Sequence, residues 1–442
     1  TTASNNTAVG RSALQENTTG ANNVAMGCGA LIDNTVGDQN TAVGGTALGD
    51  NIDGEYNAAF GYNALRKNTT ADNNSAFGYY ALACNTTGTA NTAIGLCALN
   101  ANTTAGDNTA VGKNALLVNT TGTLNNSVGS GALMANTTGC CNVAMGNDSM
   151  RFNATGDGNV AIGNKALYCN NGSTPDFNVA VGRQALYSTT SGYRNVGIGL
   201  NAMYSTTTGY TNVGIGPNVL YNNTTGYENV AIGKCAMYAN ISGVENTAIG
   251  CGALESSQTA NANTAIGRAA LRQNTTGTRN VALGRNAMCS NTEANDNIAI
   301  GFQSMCKIIT GSSNTAVGKD ALFDSTTGTQ NTGIGMDAAE NITTGSENTA
   351  VGVTSLQGVT TGTQNTAIGR DAGNGLQTGS GNVYLGYNNA SNGTNKTNEI
   401  VIGCAVTSVG SNYFTFGKGS GNDRVYNLFT SNASFTRASD QR

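Results

Sequence analysis

A glycine preceded by an apolar residue recurs along this chain with a clockwork interval. It stands at Gly10, Gly27, Gly44 and onward by equal steps to Gly163, then resumes at Gly182 and Gly199 and keeps the same step to Gly403. The step from Gly10 to Gly27 defines a 17-residue period. Of the 23 intervals between these 24 glycines, only that from Gly163 to Gly182 differs, being longer by two. The two extra residues fall near Ser173, Thr174 and Pro175, which reads as a loop insertion. The unit is N-T-A-V-G-x-x-A-L-x-x-N-T-T-G-x-x. Asn lies four residues before the anchor glycine in 23 of 24 units, with Glu399 the exception. Such a period means a stack of small units, each of which buries its apolar face only against the next.

The length of the unit restricts the architecture. Two helices and their turns do not fit in a unit this short, and Gly, Thr and Asn are poor helix formers. Leucine-rich units are longer. A coil of short strands fits, so the expected fold is all-β, a parallel β-solenoid or β-roll of 17-residue turns. Strand one is expected at N-T-A-V-G and strand two at x-x-A-L-x. N-T-T-G then forms the turn, its Gly supplying a positive φ and Asn and Thr local hydrogen bonds. Stacked turns place identical residues about 4.8 Å apart, which gives a rod of roughly 110 Å. The recurrent Asn6, Asn23, Asn40, Asn57, Asn74, Asn91 and Asn108 are thereby expected to form a structural ladder, because an amide both donates and accepts.

Alternate strand residues point to opposite faces. One face carries Ala8 and Gly10, small enough for the inside of a narrow coil; the other carries Thr7 and Val9. A lone coil exposing the second face along its length would aggregate. The expectation is that this stripe packs against copies of the chain, most simply as a homotrimer; the alternative is that it fills the coil's own core. Residues 1–386 form the expected solenoid shaft. Residues 387–442 depart from the unit and gain Tyr413, Phe414, Phe416, Tyr426, Phe429 and Phe435, which reads as a C-terminal cap over an otherwise open strand edge.

Composition excludes several functions. There is no His, so neither a Ser-His-Asp nor a Cys-His arrangement is available, and with no CxxC pair no zinc or other metal site is expected. Fragments such as Gly197-Ile-Gly199 belong to the repeat and lack the strand-loop-helix setting of a phosphate loop. No cofactor is expected, and the chain reads as no enzyme. Its 21 basic and 25 acidic residues form no basic stripe, so nucleic acid is not an expected partner. No apolar run is long enough to span a membrane.

Three further features are specific. Tyr168, Tyr187, Tyr204, Tyr221 and Tyr238 all lie five residues after an anchor, and Tyr193, Tyr210 and Tyr227 lie eleven after one. These columns are read in two ways: as rings that stack and stiffen the coil, or as an aromatic strip that binds a host-surface glycan. Cys289 and Cys306 share a column in adjacent turns, within disulfide reach, and Cys235 and Cys251 are near neighbours; a bond and reduced thiols are both compatible with this spacing. Asn-Thr-Thr at Asn17, Asn68, Asn85, Asn102, Asn119, Asn136, Asn223 and Asn274 is formally an N-glycosylation sequon, although turn chemistry already accounts for it.

Asn91-Thr-Ala-Ile-Gly95 and Asn229-Val-Ala-Ile-Gly233 resemble the head repeats of trimeric autotransporter adhesins, which are parallel β-rolls joined as trimers. That family's repeat is shorter, and the 14-residue step from Gly403 to Gly417 matches it better. The 17-residue form with N-T-T-G resembles repeats of phage and viral tail fibres. Ala438-Ser439-Asp440-Gln441-Arg442 resembles the junction that opens the endosialidase-type intramolecular chaperone of such fibres. The resemblance implies cleavage at Ser439, with Asp440 following the scissile bond. The remainder of that chaperone is not in this sequence. The function these resemblances imply is the extracellular, virion-surface shaft of a viral or phage attachment fibre, spacing a receptor-binding element from the particle. The alternatives are a bacterial surface adhesin and a head-to-tail filament subunit.

Overall fold

The computed structural model describes residues 3–170, 176–419 and 424–428. The expected insertion at Ser173, Thr174 and Pro175 lies outside the described residues. The chain divides into two units, Thr1–Asn229 and Val230–Arg442. Both are parallel β-solenoid, with roughly 17 residues per turn and no helix among the described residues.

In the first unit, three-residue strands run from Thr7–Val9 to Val213–Ile215, each pairing in parallel with the next. The register is one whole repeat: Thr7 faces Val24, Ala8 faces Ala25 and Val9 faces Met26. The second unit repeats the pattern from Val230–Ile232 onward. Its last parallel step is the short one, with Ile400 opposite Phe414. Arg424–Leu428 then lies antiparallel on Tyr413–Lys418 and occupies that strand's outer edge.

The small face of the strand points inward. Ala25, Ala42, Ala59, Ala76 and their equivalents are fully buried, together with the Ala-Leu pair that follows, as in Ala30 and Leu31. The bulky residue before each anchor points outward, as Val9, Ile94 and Ile162 do. It therefore does not fill the coil's own core, and that alternative is set aside.

Two local expectations fail. The x-x-A-L-x segment is no strand. Its second and fourth residues are left-handed, as in Ser12 (φ 58°) and Leu14 (φ 53°), and so is the residue before the ladder Asn, as in Asn5 (φ 58°). A coil this narrow must reverse direction several times within each turn, and left-handed residues make those corners. The left-handed conformation costs a Leu about 1–2 kcal/mol. Burying its side chain returns about 1.5–3 kcal/mol, so packing wins. Nor does the glycine of N-T-T-G supply the positive φ. The anchor glycines do, at +122° to +143°. A Cβ on Gly112 would stand 2.6 Å from the Gly129 carbonyl oxygen in the next turn.

Backbone hydrogen bonds join the turns outside the strands as well. Gly27 N–H donates to Val9 O at 2.8 Å, Leu14 N–H to Ala30 O at 3.1 Å and Thr18 N–H to Thr35 O at 2.9 Å. The corners thus satisfy their backbone groups along the stack, as burial demands.

Candidate functional site

The expected asparagine ladder is present, in a form richer than amide-to-amide bonding. The Oδ1 of Asn6 accepts the backbone N–H of Asn23 at 2.8 Å, and Asn23 does the same for Asn40. Asn57, Asn74, Asn91 and Asn108 continue the series at 2.9–3.1 Å. Each Nδ2 reaches the carbonyl that closes the N-T-T-G turn, as from Asn23 to Gly37 at 2.8 Å. One side chain therefore ties the strand to the turn and each turn to the next.

A second ladder, not expected from the sequence, runs through the Asn of N-T-T-G. Asn34 Nδ2 donates to Asn17 Oδ1, and Asn51, Asn68, Asn85, Asn102, Asn119 and Asn136 follow at 2.8–3.0 Å. The equal spacing of these Asn residues is visible in the sequence, but a turn-capping role disguises it. Asn68, Asn85, Asn102, Asn119, Asn136, Asn223 and Asn274 are fully buried, so an N-glycan at these sequons is incompatible with the folded coil. Farther along, the same column turns aliphatic at Ile308, Ile342, Val359 and Leu376.

At Asp176 a carboxylate replaces the turn carbonyl. Its Oδ2 accepts from Asn170 Nδ2 at 2.7 Å and Asn159 Nδ2 at 3.2 Å, and burial raises its pKa despite those bonds. Near the C-terminus Glu399 takes the ladder position. Fully buried, it accepts from Tyr384 Oη at 2.5 Å and Ser408 Oγ at 2.6 Å. Burial and the Glu399 carboxylate together hold the Tyr384 hydroxyl far above its usual pKa. Gly373 makes room for the Leu356 side chain and the Tyr384 ring, since a Cβ there would stand 2.6 Å from Leu356 Cδ2 and 3.3 Å from the ring.

The tyrosine columns stack face to face. Tyr168, Tyr187, Tyr204 and Tyr221 have successive centroids 5.0, 4.9 and 5.1 Å apart and planes within 5°. Tyr193, Tyr210 and Tyr227 stack at 5.0 and 4.7 Å. All seven rings are half-buried. Ring faces between neighbours are covered, so a sugar alongside meets edges and hydroxyls. Tyr238 belongs to the second unit and is half-buried.

Cys289 and Cys306 are joined by a disulfide, their Cα atoms 5.0 Å apart. Cys235 and Cys251 are free thiols. Ser439 and Asp440, with the rest of the expected cleavage junction, lie outside the described residues. No group of His, Cys, Asp or Glu able to hold a metal is found among the described residues.

Two surfaces remain. The outward residue before each anchor forms an apolar column within each unit, including Met26, Phe60, Phe77, Ile94, Val128 and Ile162 in the first, with Val9 55% and Ile94 42% exposed. Phe60 and Phe77 stack within it at 4.9 Å. In the second unit a groove of about 340 Å³ gathers Lys234, Arg268, Arg272 and Arg285. Sequence reasoning misses this basic cluster because its members are far apart along the chain. Aligning the residue after each anchor brings out three of them, Lys234, Arg268 and Arg285. No protein-family model matches the chain, and no curated protein compared with it does either.

Proposed function

We propose that this chain is the structural shaft of an extracellular attachment fibre, of the viral or phage kind, in which copies pack side by side, most simply as a homotrimer. The carrying observation is the apolar column: turn after turn sets a Val, Ile, Met or Phe on the outer face, where a solvated monomer has no use for it. A ladder-bonded coil is stiff for its mass, which suits a spacer. The work is mechanical and asks for no catalytic group or cofactor. The shortened step between Ile400 and Phe414 lends support to the alternative, a bacterial trimeric adhesin.

The test is native mass in solution, with Ile94→Lys/Ile162→Lys as the variant, since both side chains are exposed and their loss leaves the coil intact. Three copies are expected for the parent chain and one for the variant, with unchanged circular dichroism. A parent chain that stays monomeric at micromolar concentration, or a variant that keeps the parent's mass, overturns the assignment.

A further inference from the structure

We infer that the groove at Lys234, Arg268, Arg272 and Arg285 is a binding site for an acidic polysaccharide lying along the stack. For its biological setting this rests on the fibre reading, but the groove itself lies wholly within the second unit.

The groove exists because side chains are missing. The second residue after the anchor is Cys235, Gly252 and Ala269 in three consecutive turns, and these short residues line it. Gly252 is left-handed and buried. The long basic side chains come from the columns on either side: Lys234, Arg268 and Arg285 directly after the anchors, and Arg272 from the fifth position. All four are exposed.

Three of the four charges are left uncompensated, and here they are gathered in one groove. In the same unit Arg279, Lys307, Lys319 and Arg370 each have a carboxylate at 2.6–3.2 Å. In the groove only Arg272 does, with Glu255 Oε2 at 2.7 Å. Lys234, Arg268 and Arg285 have no ion-pair partner among the described residues. Arg268 and Arg285 are in successive turns, about 4.8 Å apart along the stack. Like charges at that spacing repel unless an anion lies between them. Four cations against one anion, on a chain of net charge −4, give a local site of opposite sign to the whole.

A ligand with repeated carboxylate or sulfate groups fits a basic column that itself repeats. The Asn286 amide adds a donor and acceptor for hydroxyls. Single-stranded nucleic acid fits less well, because its sites interleave several aromatic rings with basic residues, whereas the groove lining holds none and the neighbouring Phe302 ring already lies under the Arg285 guanidinium at 5.8 Å.

The experiment measures binding of the full chain, at low salt, to alginate, heparin, dextran and oligo-dT. Alginate carries carboxylates, heparin adds sulfates, and dextran is uncharged. Binding to alginate or heparin but not dextran is expected, weakening as salt is raised, and the tighter of the two names the anionic group. Arg268→Ser/Arg285→Ser is expected to weaken it about tenfold or more, which corresponds to about 1.4 kcal/mol. Arg183→Ser, on the equivalent column of the first unit, should leave it unchanged. The inference is overturned if dextran binds as well, if the double variant binds like the parent, if Arg183→Ser loses as much, or if oligo-dT binds more tightly than both acidic sugars. A monomeric chain that still binds alginate through Arg268 and Arg285 would remove the fibre reading and leave this one standing.

Discussion

Asn74 serves several groups at once, three of them at 2.9 Å. Its Oδ1 accepts the backbone N–H of Asn91 at 2.9 Å, its Nδ2 donates to Gly88 O at 2.9 Å, and its own N–H bonds Asn57 Oδ1 at 2.9 Å. Asn74→Ala strands the Asn91 N–H and the Gly88 carbonyl in the interior. Each orphaned group costs about 1–3 kcal/mol, so a loss of at least about 2 kcal/mol is expected in guanidinium unfolding. Asn100→Ala, which removes one bond from half-buried Asn100 to Tyr80 O, should cost less than about 1 kcal/mol. Equal losses would mean that the ladder is ornament. Asp176 makes the complementary case, a charge where the fold wants a neutral acceptor. Burial raises its folded pKa above the unfolded value, so its stabilising contribution is complete below the ordinary carboxylate range and is lost as pH rises through the folded pKa. Asp176→Asn keeps an amide oxygen there without the charge. It should be more stable than the parent at pH 7, with the advantage vanishing in acid; an advantage that grows in acid would contradict the burial argument.

At the scale of one turn, the period, the inward Ala, the outward Val and the first ladder are legible in the sequence because each follows from side-chain alternation and identical stacking. The x-x-A-L-x corner is not. Ala-Leu reads as strand because Leu is a poor candidate for a left-handed residue, and only the closed coil shows that burying Leu31 outweighs its φ of 50°. The Asn of N-T-T-G misleads for a related reason: a turn cap and a buried ladder use the same residue, and burial is what separates them. The disulfide is legible only as one of two alternatives, since a shared column fixes the distance but not the oxidation state. It links one turn to the next, closing a short loop, which stabilises a fold by about 3 kcal/mol at this length. Denatured, unreduced protein should therefore take up nine alkyl groups and reduced protein eleven. Cys289→Ser/Cys306→Ser should unfold at lower denaturant concentration than the parent, and at the same concentration whether or not reductant is present. Eleven labels without reductant would show that the bond does not form.

At the scale of the whole molecule, the side-chain bonds of both ladders reach no farther than the adjacent turn, so stability is a sum of turn terms and neighbour terms, not the property of one central core. Chemically identical substitutions should then differ by position. Gly10→Ala and Gly112→Ala meet the same obstacle: φ is +133° and +136°, and the new Cβ would lie 2.6 Å from the carbonyl oxygen of the next anchor, Gly27 or Gly129. Strained backbone of this kind costs about 1–3 kcal/mol before the collision is counted. In a protein expressed as residues 1–442, Gly10 lies in the first turn, so the chain escapes by fraying that turn alone, and most of the native circular dichroism and the unfolding slope should survive. At Gly112 there are stacked turns on both sides, the stack is cut, and the first unit should unfold in two less cooperative segments with a reduced denaturant slope. A globular core would make the comparison depend on burial alone. If the two variants lost equal stability and kept equal slopes, the turns would be coupled over the whole unit, and the stiffness attributed to the ladders would have to come from somewhere else.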